Sequence, residues 1–423
     1  MVKAIQERPL RVGPVHAQGP AAVVTRRAAD RLRAGHLWVY RTDVEQVMPA
    51  LGATKLDPGA LVTVLDGRGI PLGSALYSSA SQITLRLVSG EAALTREGYL
   101  AEMKVRLAAA VALRGELVPL SLADNACRLV FSEADGLAGI VADRYNDLVV
   151  LQLLTQGTAQ DDVRGVVAEL LAELPGVRTI VERPDARVRE LEELPASPTE
   201  PLFVADGGGL KAIFTINGLR FHFDASSGQK TGAFLDQRLN YEAAAGWARG
   251  RALDVCTYQG GFALHLARRC ERVTGVDASR AALEVADRNL ELNPELTARV
   301  DWIEADAFEL LREYEATGAR YDTIVLDPPA FAKSKRAMEG ALRGYKELNL
   351  RAMKMLAPGG TLVTCSCSQH VGLPEFTGVV ASAATDALRR VQVLETRGAA
   401  PDHPAIVTLP ETSYLKCLVL QVR

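Results

Sequence analysis

The stretch LDVCTYQGGFALHLA, residues 253–267, decides the fold. Its first residues read as a buried strand, its middle carries the pair Gly260-Gly261, and its last residues are apolar at helical spacing. A strand that passes through a glycine turn into a helix is the opening unit of a doubly wound sheet. From Ala252 onward the unit repeats. Strands are predicted at ALDVCTY (252–258), RVTGVDA (272–278), VDWIEAD (300–306), YDTIVLD (321–327) and TLVTCSCS (361–368), with amphipathic helices between them and Pro358-Gly359-Gly360 as a stop before the fifth. The closing segments VQVLETRG, AIVTLP and YLKCLVLQVR break the alternation and read as an antiparallel hairpin. The fold class is therefore α/β, with a parallel, doubly wound C-terminal sheet.

Upstream the pattern differs. Residues 1–20 mix Pro, Gly, Gln and charges without periodicity and read as a flexible tail. Residues 21–92 carry short strands punctuated by Gly59, Asp66-Gly67 and Gly69, which fits a small β-barrel. Residues 93–209 form a second unit. It holds a helix at 96–115, three strands within 127–155 turning at Asp135-Gly136 and Asn146-Asp147, a helix near 158–173, a strand at 177–183 and a loop over 184–209. Residues 210–224 read as a hairpin turning at Asn217-Gly218, leading into the C-terminal unit 210–423.

At 423 residues the chain is long enough for two or three domains, and nearly half of it is hydrophobic. No uncharged apolar run approaches the roughly 20 residues of a membrane span. The N-terminus lacks the apolar core of a secretory leader and the six cysteines are scattered, so the expectation is a soluble, reduced, cytoplasmic protein without membrane partners. A net charge of −3 excludes a bulk nucleic-acid coat, yet charge is locally uneven. Residues 1–41 carry eight Lys/Arg against two acids, and residues 331–354 carry seven against two. Either run alone reads first as a solvated face.

Ligands of a doubly wound sheet sit outside the carboxyl ends of the strands. Four features fall there: the loop with Tyr258, Gly260 and Gly261; Asp277, placed to accept both hydroxyls of a ribose; Asp306-Ala307-Phe308, a polar atom and an aromatic face for an adenine; and Asp327-Pro328-Pro329. The loop lacks the G-x-G-x-x-G spacing that cradles pyrophosphate, which disfavours NAD. S-adenosylmethionine has no phosphate and needs carboxylates for its ribose and amino group, with Asp254 placed for the latter.

LDVCTYQGGF, LDPPAFAKSK and TCSCSQHV, together with SEADGLAGIVADRY (132–145), KTGAFLDQR (230–238) and GHLWVYR (35–41), resemble the large-subunit (23S) ribosomal RNA cytosine-C5 methyltransferase family, from about residue 22 to the end of the chain. The resemblance implies an N-terminal PUA domain that binds RNA, a central α+β domain and a class I methyltransferase domain that binds S-adenosylmethionine. It also implies that KTGAFLDQR lies against the cofactor, with Phe234 and Gln237 as contacts.

Carbon 5 of cytosine is a poor nucleophile, and addition of a thiolate to carbon 6 converts the ring into an enamine that can attack a methyl sulfonium. Cys365 and Cys367 share one face of the fifth strand, and Ser366 and Ser368 share the other. Cys367 is preferred as nucleophile because it lies nearer the strand's C-terminal end and occupies the S-C-S position of the related enzymes. Asp327, if protonated, can satisfy the N3 acceptor and the N4 donor of cytosine, a pattern that uracil reverses. Phe331 is a candidate to stack on an extruded base, as is Tyr345, with core packing as the alternative for Phe331. Lys333, Lys335 and Arg336 follow on the rim as phosphate contacts. No metal is expected, because C-x-C is not the C-x₂-C ligand spacing and the six histidines form no H-x₃-H pair. Asp143 and Arg144 are a candidate ion pair, and His370 reads as a surface or cap residue. Two other readings stay open: methylation of a base nitrogen without a cysteine nucleophile, and a non-catalytic RNA-binding protein. The sequence does not specify whether the chain forms a homodimer, nor which base removes the carbon-5 proton.

Overall fold

A computed structural model describes residues 10–16, 18–183, 185–226, 233–332 and 335–423. Its largest sheet has seven strands in the spatial order 3-2-1-4-5-7-6: Arg251–Val255, Arg272–Asp277, Arg299–Glu304, Tyr321–Leu326, Leu356–Ser366, Val391–Arg397 and Lys416–Val422. The first five are mutually parallel, and the seventh inserts antiparallel between the fifth and the sixth, with Cys365 opposite Cys417. Strand order reverses beside the first strand, so a crevice opens at its carboxyl end. Central strands such as YDTIVL are buried on both faces because helices cover both sides, giving continuous apolar runs rather than alternation.

Two expectations here change. Pro358-Gly359-Gly360 is not a stop but part of the fifth strand, accommodated by an irregularity in register against Tyr321–Leu326. The segment AIVTLP does not join the closing hairpin, and forms only an isolated bridge between Ile406 and Leu409.

The N-terminal sheet has six strands in the order 2-6-5-4-1-3, within residues 21–89. A helix, Arg26–Arg33, lies in a stretch read as strands and turns. Thr25 caps it by accepting the Ala28 N–H, and Ala28, Ala29 and Leu32 form its buried face. The segment read as a tail is partly held: the Gly13 N–H donates to the Val47 carbonyl at 2.8 Å, and Leu10 packs on the barrel core. The central unit is a five-stranded sheet covered by the helices Arg96–Leu117 and Asp161–Ala172. The loop read over 184–209 contains a helix, Ala186–Glu192, and an edge strand, Phe203–Val204.

SEADGLAGIVADRY ties the three units together. Glu133 accepts the Trp38 indole N–H of the barrel at 2.9 Å, and Asp135 pairs with Arg114, whose guanidinium also donates to the Asp402 carbonyl at 3.0 Å. Asp143 pairs with Arg128 rather than with Arg144, because neighbours along a strand point to opposite faces. Arg144 donates instead to the carbonyls of Asn146 and Pro175.

Candidate active site

A cavity of about 680 Å³ opens at the carboxyl end of the sheet, within the range that holds a nucleoside-sized ligand. Cys256 and Tyr258, in the turn that precedes Gly260, form one side; Gly260 itself has φ +84°, and an alanine Cβ there would come within 3.1 Å of the Trp302 ring. Cys256 and Tyr258 also have positive φ, which bends the chain so that Tyr258 faces the cavity. Asp277 holds that bend: one oxygen accepts the Tyr258 N–H and the other the Ser279 N–H, both at 2.9 Å. Behind the turn His265 is buried and neutral, pushed down to about 3 by burial. Its Nδ1 meets the Gly261 carbonyl at 2.7 Å and its Nε2 meets the Asn217 amide at 3.1 Å, which assigns the proton to Nδ1.

Asp306 begins a helix as its N-cap, accepting the Phe308 and Glu309 N–H groups through Oδ1 and leaving Oδ2 to the cavity side. Val276, Ala307 and Phe308 supply an apolar wall between the two carboxylates. Two carboxylates, an apolar slot and no phosphate nest fit a cationic, phosphate-free nucleoside, as S-adenosylmethionine is.

The cavity brings together Phe234, Gln237, Tyr258, Asp277, Asp306, Ala307, Asp327, Phe331 and Cys367. Asp254 lies outside its walls. It is fully buried beneath the turn, where the Thr257 hydroxyl donates to Oδ2 at 2.5 Å, and burial raises it to about 7. Its Oδ2 is taken by Thr257, while Oδ1 has no hydrogen-bond partner among the described residues. Gly260 stays behind the turn, and Gly261 borders a small adjoining pocket. Cys365 is wholly buried against Cys417, and that contact and burial push its thiol up. Cys367 lies just past the strand's end, in the cavity wall.

Burial raises Asp327 to about 8, and the charges of Asp236 and Asp254 add to it. Gln237 is oriented by Asn240, which donates to its Oε1 at 2.6 Å, so that its Nε2 donates to Asp327 Oδ2 at 3.0 Å. The proton of the acid then falls on Oδ1. The Cys367 thiol is raised to about 11, first by burial and then by Asp327 and Asp236, while Lys416 opposes the rise. Burial in turn lowers Lys416 to about 8, and its ammonium donates to the carbonyls of Ser368 and Tyr414 at 2.7 Å each. Sequence reasoning missed Lys416, Asp236 and Tyr414. A lysine at the start of an edge-side strand gives no sign that it will be buried.

Tyr345 is no stacking platform: it is fully buried, its hydroxyl bonded to Ser366 and Ser368. Phe331 packs on it at 4.9 Å and still reaches the cavity wall. Most of the basic run on the rim is ion-paired within the protein, Arg343 with Glu339, Lys346 with Asp386, and Arg351 and Lys354 with Glu315. Arg336 is exposed, Lys333 lies outside the described residues, and Lys335 is described only as the start of a helical turn. His370 is exposed. Among the described residues no group of side chains could hold a metal, and no helix is long and apolar enough to cross a membrane.

A doubly wound sheet with this carboxylate-lined, phosphate-free crevice defines a class I methyltransferase. The chain belongs to the S-adenosylmethionine-dependent methyltransferase family, whose profile matches residues 202–417, and residues 22–90 match a PUA-like domain. Its cofactor is S-adenosylmethionine. Among curated proteins it is similar to ribosomal RNA large subunit methyltransferase I of Aeromonas hydrophila, 36% identical over 406 residues that cover 92% of this chain and 96% of that protein. The Erwinia tasmaniensis protein of the same name is 38% identical over 392 residues, covering 92% and 95%. Among solved structures, a methyltransferase complexed with SAH shares the fold at a TM-score of 0.78 and 18% identity, covering 94% of this chain and 99% of that one.

Proposed function

We propose that the protein methylates carbon 5 of a cytosine in large-subunit ribosomal RNA, with Cys367 as the nucleophile. The observation that carries this reading is that Cys367 and the buried acid Asp327, raised by burial, both line the cavity that fits the cofactor. Relatives alike over nine-tenths of the chain are named for large-subunit ribosomal RNA, and a PUA-like domain accompanies the catalytic one.

Bound S-adenosylmethionine supplies an electrophilic methyl group, and Asp277 and Asp306 would hold its nucleoside. Lys416 favours the Cys367 thiolate through its charge. The thiolate adds to C6 of an extruded cytosine, electron density moves to C5, and Asp327 Oδ1 gives its proton to N3 while the carboxyl accepts from the N4 amine. Uracil would meet Asp327 with its N3–H and O4, the wrong polarity for that acid. Pro328 and Pro329 bring no N–H donors to this edge of the cavity, and Phe331 offers a ring face to the base. Arg336, exposed, follows the cavity-lining Pro328–Phe331 segment as a cation for the RNA backbone.

The test is methyl transfer onto large-subunit ribosomal RNA from cells lacking the protein, followed by nucleoside mass spectrometry. New 5-methylcytidine, absent with Cys367→Ala, is the expected result. A methylated base nitrogen, or product undiminished in Cys367→Ala, would defeat it.

A further inference from the structure

The mechanism above leaves the last proton unassigned. After methyl transfer the adduct carries both a methyl group and a hydrogen at C5, with Cys367 sulfur on C6. Release needs a base that takes the C5 proton. The C5–H electron pair then forms the C5–C6 double bond, the C6–S bond breaks, the thiolate leaves, and N3 returns its proton to Asp327.

At the Cys367 end of the cavity stands a buried group that the mechanism has not used. Asp236 is 9% exposed and lines the same wall as Cys367, Asp327 and Tyr414. Its Oδ2 accepts the Tyr414 hydroxyl at 2.5 Å, while among the described residues no donor reaches Oδ1. Its backbone carbonyl accepts the Ala400 N–H at 2.8 Å, which fixes the loop bearing it. Arg128, itself tied to Asp143, lines the cavity nearby and balances the charge. The position is costly for resting chemistry, since the Asp236 charge opposes ionisation of both Cys367 and Asp327. His403 also lines the cavity, with Nδ1 against Asp402 at 2.9 Å and its ring on Phe131, and is the competing base that the test below must separate.

We propose that Asp236 is the general base that removes the C5 proton, and that Tyr414 positions it. The inference rests on the cytosine-C5 reading given above.

The test uses full-length protein and ribosomal RNA tritiated at cytosine C5, with methyl-labelled S-adenosylmethionine. In Asp236→Asn, which keeps an acceptor for the Tyr414 hydroxyl, methyl label should collect in a protein–RNA adduct that survives denaturation. Tritium release should fall about 100-fold or more. Asp236→Glu should restore part of the release, and Tyr414→Phe should slow release more than methyl transfer. A merely structural residue would lower both signals together. Release that keeps pace with methyl transfer in Asp236→Asn, or loss of both without an adduct while cofactor binding persists, overturns the assignment. An adduct in His403→Asn instead would move the role there. Wild-type protein with 5-fluorocytosine RNA separates the two readings: fluorine at C5 cannot be removed as a proton is, so a Cys367-dependent adduct must form. Its failure defeats the C5 reading and this inference together, whereas its success with a silent Asp236→Asn defeats only the inference.

Discussion

Cys365 and Cys367 are two residues apart and differ in everything that matters for chemistry. Cys365 is sealed against Cys417 inside the sheet, and Cys367 borders the cavity with a lysine charge acting on it. Cys367→Ala should lower methyl turnover by about a thousandfold or more, as removal of a covalent nucleophile does, and Cys365→Ala should retain it within a few-fold. Labelled methyl incorporation at saturating cofactor reads both. Asp327 should set the pH profile. The rate rises with pH as thiolate accumulates, then levels above about pH 8, where each gain in thiolate is matched by loss of the Asp327 proton. In Asp327→Asn, slower overall, the levelling should vanish. Asp327 also bears on stability. Its native pKa lies above its ordinary value of 3.8, so between pH 4 and about 8 the native state keeps a proton that the unfolded chain has lost. Stability from this group is full below pH 4 and is lost as pH rises through 8. Thermal unfolding of Asp327→Asn should therefore decline less than wild type across that window.

At the scale of the element, the turn after the first strand is made by conformations that few residues tolerate. Gly260 sits in the left-handed region with the Trp302 ring behind it, and Cys256 and Tyr258 share positive φ. Gly260→Ala should cost about 1–2 kcal/mol in denaturant unfolding for the backbone alone, and should weaken cofactor binding in calorimetry because Tyr258 would shift. The glycine pair, the strand and the helix were legible in LDVCTYQGGFALHLA. The burial of Asp254 was not legible from sequence, because a carboxylate one residue from a strand's end looks the same whether it lines a cavity or lies beneath its own loop. In the fold the Thr257 hydroxyl takes one of its oxygens at 2.5 Å and the other has no partner among the described residues.

Across the whole molecule, buried charged side chains join units that the chain keeps far apart in sequence. Arg114, 1% exposed, pairs with Asp135 and donates to the carbonyl of Asp402, which precedes His403 in the cavity wall. Arg114→Met should cost about 3–5 kcal/mol, because it strands the Asp135 charge in the interior. Double substitution with Asp135→Asn should recover part of the loss in the same unfolding assay. Barrel and central unit are coupled similarly, with Arg86 and Ser78 both on the buried Glu192.

By itself the sequence determined the alternation of strands and helices in the C-terminal unit, its parallel sheet and the residues at four strand ends. Those follow from periodicity, turn residues and spacing, which are local properties of the chain. Tertiary structure alone decided which carboxylates line the cavity and which thiol borders it. It also decided that Tyr345 is core, and that Asp236, Tyr414 and Lys416 converge on Cys367 from segments 47 to 131 residues away. Burial and charge proximity are sums over neighbours that only folding brings together, and they set the protonation states on which the chemistry depends.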